Sequence, residues 1–522
     1  MRIFNKFKSN EHGNNTTKNL SLGAAEAEAE ISDNSEINLV DVFEDYFDTL
    51  EGLQSVRFIV LGRKGTGKSA LGKVLYSLAA NNKGTEENFF CDFVRHNDIR
   101  LEQVVQITQD NASTAYSSFL YEWIILIKLI KLLIQNQSLL NEKESEMLKK
   151  FLNKNSGFTS IDQQKAKEFL EKNSSNVDIT YLKRFFKMTF KKDLTISKEK
   201  APFHELLPDL KDTIVELLKK DKNSINENEY LLIFDDLDID FDLNSKDKLL
   251  ALIALLRVTK DYNTEVFGNL NAKIVLLLRD DIATELIQKA SEMSIPMADI
   301  SKLFKSYALE PLRWYEHDKY RTDENNLAIK KFINKRIIYA AKKLNMSCNE
   351  EDPWAWLISG SKYSKQSSFK DILDLTFFRP RDLLLFFRTL PATNYNIPLE
   401  KDDLNALTIK YLKDFMEEIE SELSTIYPGD ISKIRTALNE CAGGSFEYSF
   451  FEKKVINTGF NGNIIKLAEV LFNYSYIGHL INNKEVHFKH REKDGLEEKF
   501  NINEPLILHN SLETFFYKTN RY

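Results

Sequence analysis

The sequence predicts an α/β fold whose centre is a parallel sheet covered by helices on both faces. Three short apolar runs rich in branched residues, at 56–61 (VRFIVL), 230–234 (YLLIF) and 273–278 (KIVLLL), have the pattern of buried strands. Helical patterns follow the first two runs, at 70–80 and 246–259. Strands that alternate with helices along a chain indicate a parallel sheet of this kind.

Weaker patterns complete the domain organisation. Residues 89–94 and 307–309 are further strand candidates, and 25–31 is a short helix. The chain is expected to divide into a flexible N-terminal segment (1–38), a core (39–315) with a helical insertion at about 100–225, a helical segment (316–428) and a C-terminal domain (429–522).

The composition limits the classes of protein to which the chain can belong. The formal net charge is −7 and the pI is near 5.8, which gives no global electrostatic case for nucleic-acid binding but leaves room for a local basic patch. Three scattered cysteines without CxxC spacing argue against a zinc site and favour a reducing compartment. Charged residues interrupt the most apolar run, 119–134, which predicts a buried helix. We therefore expect a cytoplasmic protein with no membrane span.

A glycine-rich stretch follows the first predicted strand and matches the pattern GxxxxGK[ST] in full. Its residues are Gly62, Arg63, Lys64, Gly65, Thr66, Gly67, Lys68 and Ser69, and Ala70 begins the helical pattern. In such a loop, backbone N–H groups point at phosphate oxygens and the helix N-terminus adds partial positive charge. Lys68 is expected to reach the β- and γ-phosphates of ATP, and the Ser69 hydroxyl to ligate Mg²⁺. A chance match is the alternative, and the flanking strand and helix argue against it.

Acidic residues follow the strand at 230–234. Phosphate-loop enzymes need a carboxylate at the tip of a neighbouring strand to hold the Mg²⁺ shell, and Asp235 occupies that position. Asp236 is the candidate to orient or deprotonate the attacking water, with Asp238 as a supporting residue. The alternative is a solvated acidic loop at a strand end.

Two arginines are candidates to contact the γ-phosphate. Arg279 directly follows the strand at 273–278, where its charge would stabilise the transition state, or it forms a salt bridge with Asp280 or Asp281. Arg381 follows Pro380 at the start of a predicted helix and is placed to contact phosphate from a helical lid. Its alternative is an ion pair on the lid surface with Asp382 or Asp374.

Together, IVLGRKGTGKSAL, LLIFDDLD, IVLLLRDD and FFRPRDLLLF resemble AAA+-type ATPases of the origin-recognition-like and STAND-like branches. The resemblance implies a three-layer P-loop core, a helical lid at 316–428 and an ATPase active in antiviral defence or DNA-linked signalling. It makes Arg279 the equivalent of a sensor-1 residue and Arg381 that of the sensor-2 arginine. The long interval between Lys68 and Asp235 implies the helical insertion. No trans-acting arginine finger is evident, although Arg313 and Arg336 are candidates by location.

The resemblance also gives the C-terminal segment a meaning. Residues 471–478, 487–491 (HFKHR) and 506–515 are similar to elements of a winged-helix domain, which in related proteins contacts DNA or another protein. The resemblance therefore implies a protein partner or effector, leaves DNA binding through this domain open, and is compatible with an oligomer.

Three classes of function compete. The favoured one is a regulatory ATPase switch, closed by ATP through Lys68, Arg279 and Arg381 and reopened by hydrolysis. The alternative is a nucleic-acid-dependent motor or DNA-binding loader that uses the basic segments 181–192 (YLKRFFKMTFKK) and 484–491. Helical spacing instead puts the phenylalanines of 181–192 on one face, which is typical of a core with a lysine rim. The third class, a binding module with a degenerate site, conflicts with the intact Lys68 and Asp235.

Overall fold

Among the residues described by the computed structural model, four parallel strands form the main sheet, which confirms the predicted α/β class. The structure describes residues 16–32, 35–81, 89–95, 114–155, 176–223, 228–237, 246–292, 297–360, 367–482, 485–492 and 499–519.

The regular elements of the described residues are named here in chain order. The strands are β1 (Ile59–Leu61), β2 (Phe89–Val94), β3 (Asn176–Asp178), β4 (Lys200–Pro202), β5 (Glu229–Phe234), β6 (Ala272–Leu278), β7 (Ile477–Ile481), β8 (Glu485–His487) and β9 (Leu506–Leu508). The α-helices are α1 (Ala27–Ile31), α2 (Leu39–Val42), α3 (Thr49–Gln54), α4 (Lys68–Asn81), α5 (Thr114–Gln135), α6 (Glu142–Lys154), α7 (Thr180–Phe190), α8 (Leu207–Lys222), α9 (Lys246–Asp261), α10 (Asp280–Glu292), α11 (Met297–Tyr307), α12 (His317–Thr322), α13 (Ala328–Lys343), α14 (Pro353–Leu357), α15 (Ser368–Leu373), α16 (Pro380–Phe386), α17 (Lys401–Ile426), α18 (Ile431–Glu440), α19 (Tyr448–Asn457), α20 (Ile464–Asn473) and α21 (Asn510–Thr519).

The chain divides into two compact units. The first, which we call the sheet unit, is Asp45–Leu312. The second, which we call the split unit, combines Met1–Glu44 with Arg313–Tyr522. Each unit is described by itself below.

The main sheet of the sheet unit has the strand order β1–β6–β5–β2, and every neighbouring pair is parallel. β1 is shorter than the predicted 56–61, although the Phe58 carbonyl still accepts a hydrogen bond from Leu276 N at 2.9 Å. The candidate strand at 307–309 is a single parallel bridge between Ala308 and Ile59, on the side of β1 away from β6. β1 therefore lies between this bridge and β6.

The described part of the insertion is mainly helical, as predicted, with one antiparallel pair of short strands, β3 and β4. Its longest helix, α5, contains the apolar run 119–134 and is buried, with Ile125 and Leu126 fully covered. The Lys128 ammonium of α5 donates to the Asp92 carboxylate (3.0 Å) and to the Phe93 carbonyl (2.6 Å) of β2. α5 is thereby fastened to the edge strand of the sheet by charge as well as by apolar packing.

The split unit is helical from α12 to α19, as predicted for most of 316–428, and ends in a small mixed fold. After α18, α19 and α20 come three antiparallel strands in the order β8–β7–β9, and then α21. A bridge from Phe446 to Leu506 extends this small sheet on its β9 side.

The N-terminal segment is anchored to the split unit from residue 16 onward. Thr17 N donates to the Tyr395 carbonyl at 2.9 Å, and Leu20 is fully buried. In α1, the Glu30 carboxylate receives a two-point ion pair from the guanidinium of Arg336 in α13, at 2.6 Å and 2.8 Å. Arg336 is 3% exposed, and its guanidinium is paired with Glu30 inside its own unit. The prediction that it is a candidate arginine finger is therefore wrong. Glu30 belongs to 1–38, which the sequence pattern predicted to be a flexible segment, yet this contact holds it against α13.

Among the described residues, no helix is both long enough and apolar enough to cross a bilayer.

Candidate functional site

The carboxyl ends of the parallel strands bring the candidate residues of the sheet unit to one edge. The registers pair Leu61 with Leu278 across β1 and β6, and Phe234 with Leu276 across β5 and β6. The residues that follow these strands therefore leave the sheet in the same direction. In open α/β sheets, ligands bind in the crevice outside this edge.

The glycine-rich loop connects β1 to α4 as predicted. Gly65 and Gly67 have φ angles of +82° and +101°, a region that residues with a Cβ rarely adopt. A Cβ on Gly62 would lie 2.6 Å from the Thr66 hydroxyl oxygen, so the start of the loop also needs a glycine. The sequence thus folds locally into a tight cradle whose backbone bends are permitted by its glycines.

Lys68 begins α4, and its side chain turns back into the loop. Its ammonium donates to the carbonyls of Gly62 (2.7 Å) and Arg63 (3.1 Å), and the residue is 9% exposed. The Thr66 hydroxyl donates to the same Arg63 carbonyl at 2.8 Å. The lysine charge is therefore held at the loop, and Ser69 and Ala70 occupy the first turn of the helix behind it.

An acidic pair follows β5. Asp235 is 4% exposed, and its backbone N–H continues the ladder by donating to the Val94 carbonyl at 3.0 Å. Its carboxylate accepts the Asp236 N–H at 2.9 Å. Asp236 is partly exposed and has a φ of +57°. The backbone reverses here, and the two consecutive carboxylates occupy different surroundings. Asp238 lies outside the described residues.

Arg279 follows β6, the strand between β1 and β5, and forms the salt bridge that the sequence left as one of two alternatives. Its Nε donates to Oδ1 of Asp281 at 2.9 Å, and its Nη2 donates to Oδ2. Partial burial raises the pKa of Asp281, but Arg279, with Arg63 and Lys68 nearby, lowers it below the usual range for a carboxyl. Asp281 therefore stays ionised among three cations of this edge. The sequence predicted Asp281 only as a partner of Arg279. The electrostatic effect of Lys68 on Asp281 could not be predicted, because it depends on the pairing of β1 with β6.

Arg381 lies in the split unit, at the start of α16. Its Nη1 is 3.7 Å from Glu418 Oε1, on α17, and its Nε has no hydrogen-bond partner among the described residues. The neighbouring Arg379 is buried and paired with Asp382 through three hydrogen bonds, which the sequence did not reveal. The ion pair of Arg381 predicted with Asp382 or Asp374 is thus replaced by one with Glu418, because Arg379 takes Asp382.

The basic segments contribute to packing. In α7, Phe185 and Phe186 are buried, which confirms the interpretation of 181–192 as a core face with a lysine rim. In the HFKHR segment, Arg491 donates to the Asp374 carboxylate at 3.0 Å and Lys489 pairs with Glu492. These two cations are therefore engaged inside the split unit, although the sequence pattern had made them candidates for DNA contact.

Within the part of the chain that the structure describes, no three His, Cys, Asp or Glu side chains are grouped so as to hold a metal ion by themselves. Comparisons of the chain with protein-family models, with curated proteins and with solved structures find no match.

Proposed function

We propose that the chain is a Mg²⁺-dependent ATPase that works as a regulatory switch. The observation that carries this proposal is the convergence of three chain segments at one edge of the sheet. The glycine loop with Lys68 follows β1, Arg279 follows β6, and Asp235 and Asp236 follow β5. Phosphoryl transfer depends mainly on positioning and on charge stabilisation, and these segments supply cations, backbone donors and carboxylates.

The loop fits a phosphate chain. Its left-handed glycines allow successive N–H groups to face an anion, and α4 is fourteen residues long, so its N-terminus carries a favourable partial charge. Arg63, Lys64 and Thr66 would contribute backbone donors. Lys68 would exchange the carbonyls it now contacts for the β- and γ-phosphates.

The residues present also suit a magnesium ion, which prefers oxygen ligands and keeps several waters. The Ser69 hydroxyl and the Asp235 carboxylate are the protein groups that would hold it. Bound there, Mg²⁺ would neutralise phosphate charge. Asp236, partly exposed beside the buried Asp235, would orient the attacking water or take its proton, and Arg279 would stabilise the charge that develops on the γ-phosphate.

The finer architecture is part of the proposal. The helix-flanked parallel sheet supports a P-loop core of three layers. The helices α12–α17 support a helical lid. The three helices α18–α20, followed by a small antiparallel sheet, support a winged-helix-like C-terminal domain. The resemblance to AAA+ and STAND-like ATPases adds Arg381 as a lid residue, a protein effector as partner, and antiviral defence or DNA-linked signalling as the output. Arg491 and Lys489 already form ion pairs with Asp374 and Glu492. We therefore favour the switch over a DNA-dependent motor that would use these cations to bind DNA.

The first prediction tests nucleotide binding. Lys68→Ala should weaken ATP binding by about 10- to 100-fold, since a hydrogen bond to a charged group contributes roughly 1.5–3 kcal/mol. Equilibrium binding of a fluorescent ATP analogue in the presence of Mg²⁺ measures the effect. Lys302→Ala, at an exposed position on α11, is the matched control and should bind like the parent chain. Equal affinities for all three proteins would contradict the proposal.

A further inference from the structure

Arg279 and Asp281 form a two-point contact at the edge where we place the nucleotide. The fork of the guanidinium meets both carboxylate oxygens, the geometry in which arginine also recognises phosphate. The Asp281 carboxylate therefore accepts the same Arg279 N–H groups that a phosphate oxygen would accept.

The contact is accessible and modest in strength. The side chains of Arg279 and Asp281 are 19% and 38% exposed. Ion pairs with this much solvent contact contribute little to the stability of the fold. A polyphosphate with several negative charges can therefore replace the carboxylate without disrupting the core.

The carboxylate also lies within the field of the phosphate-binding loop. Besides Arg279, the cations that act on Asp281 are Arg63 and Lys68, both from the loop after β1. The pKa of Asp281 is lowered despite its partial burial, because these cations favour the ionised form. A negative charge here attracts the same groups that phosphate needs.

We infer that Asp281 is a specificity-determining residue that holds Arg279 as a substitute for a γ-phosphate, so that ATP must displace it whereas ADP need not. This inference rests on the proposed function, and it adds a reason for the site to distinguish the two nucleotides. When ATP binds, the guanidinium exchanges a carboxylate for a phosphate oxygen. ADP lacks that oxygen and leaves the pair in place.

Asp281→Asn keeps the size of the side chain, removes its charge and weakens its hold on Arg279. We expect affinity for a non-hydrolysable ATP analogue to rise by about tenfold and affinity for ADP by less than about threefold, a charge effect of the size expected for a partly exposed site. Isothermal titration calorimetry on the full chain with Mg²⁺ gives both constants.

Three further variants isolate the mechanism. Asp280→Asn removes one charge from the same helical turn and should change both affinities alike. Asp281→Ser should reproduce Asp281→Asn. In an Arg279→Gln background, Asp281→Asn should no longer alter the preference for the ATP analogue, because the residue through which it acts is gone.

The outcomes separate this inference from the proposed function. If the parent chain binds both nucleotides but Asp281→Asn and Asp281→Ser leave the ratio of their affinities unchanged, the inference is wrong and the proposed function stands. The same holds if the ratio shifts equally with and without Arg279. If the correctly folded parent chain binds neither nucleotide, both proposals fail.

Discussion

At the scale of single residues, Asp236 is defined as much by its backbone as by its carboxylate. A φ of +57° is costly for most side chains but is tolerated by Asp, Asn and Gly. The turn rotates the chain away from β5 directly after the buried Asp235, so that the next carboxylate is partly exposed. The two roles proposed above, water orientation for Asp236 and a magnesium ligand for Asp235, are compatible with adjacent positions because the two carboxylates differ in exposure.

The third prediction concerns this residue. Asp236→Asn retains the shape and tolerates the left-handed backbone, so the fold and ATP affinity should be unchanged. Turnover should fall by about 10²- to 10⁴-fold, the usual contribution of a positioned acid or base. Phosphate release under saturating ATP and Mg²⁺ measures it. Full turnover in Asp236→Asn would remove the catalytic role, whereas a matching loss of ATP affinity would indicate a binding role instead.

At the scale of elements, the ion pair between α1 and α13 determines how the N-terminal segment is held. The Arg336 Nη1 also donates to the Leu22 carbonyl at 2.9 Å, and Glu30 Oε1 accepts the Ala24 N–H at 2.7 Å. A Cβ on Gly23 would lie 2.1 Å from both charged groups, so the chain passes too close for any other residue. The contact is thus a buried charge pair enclosed by backbone.

The fourth prediction removes one partner of this pair. Glu30→Ala leaves a buried guanidinium without its counter-charge and should lower the free energy of unfolding by about 3–5 kcal/mol. Glu28→Ala, at an exposed position of the same helix, should change it by no more than about 0.5 kcal/mol. Urea denaturation followed by circular dichroism compares them. Equal stabilities of the two variants would show that the pair contributes nothing.

At the scale of the whole molecule, pH acts on stability through buried ionisable groups, and His509 is the clearest case. It is fully buried among aromatic rings, with the Phe377 centroid at 4.7 Å and that of Phe488 at 5.3 Å. Its Nδ1 accepts the Ser511 N–H, so the ring is bound as the neutral form. Burial, reinforced by Arg491 and Arg379, lowers the pKa of His509 to about 3.

The fifth prediction gives the sign of this effect. Between the folded pKa of about 3 and the unfolded value near 6.5, the unfolded chain binds more protons, so stability falls as pH falls. The contribution of His509 should be a loss of about 1 kcal/mol per pH unit across that window. Urea unfolding between about pH 7 and pH 5 should give a shallower dependence for His509→Asn than for the parent chain. His487→Asn, on β8, is the control, and an equal slope in the parent chain and His509→Asn would contradict the assignment.

The sequence was most informative where structure is local. The apolar runs that became β5 and β6 carry their own pattern, and the glycine loop carries its own turn requirements, so Asp235, Asp236 and Arg279 could be located from their distance to a strand end. The sheet that joins them is confirmed, whereas their roles toward ATP stay predictions.

Contacts between distant segments could not be predicted in this way. Nothing in the pattern AEAEAEI links Glu30 to Arg336, since the two are 306 positions apart. The basic segment HFKHR has the composition of a nucleic-acid contact, yet Arg491 pairs with Asp374, 117 positions earlier. In each case the partner is chosen by packing, which single-sequence periodicity does not encode.

The long separation between Glu30 and Arg336 has a consequence for biosynthesis. Because the split unit combines Met1–Glu44 with Arg313–Tyr522, its first helix leaves the ribosome long before its counter-charge exists. At about 5–20 residues per second, the 306 positions between them take roughly 15 to 60 s to translate. The sheet unit, Asp45–Leu312, is complete within that interval and can fold first. The nascent N-terminal segment therefore cannot form this buried ion pair until Arg336 has been synthesised.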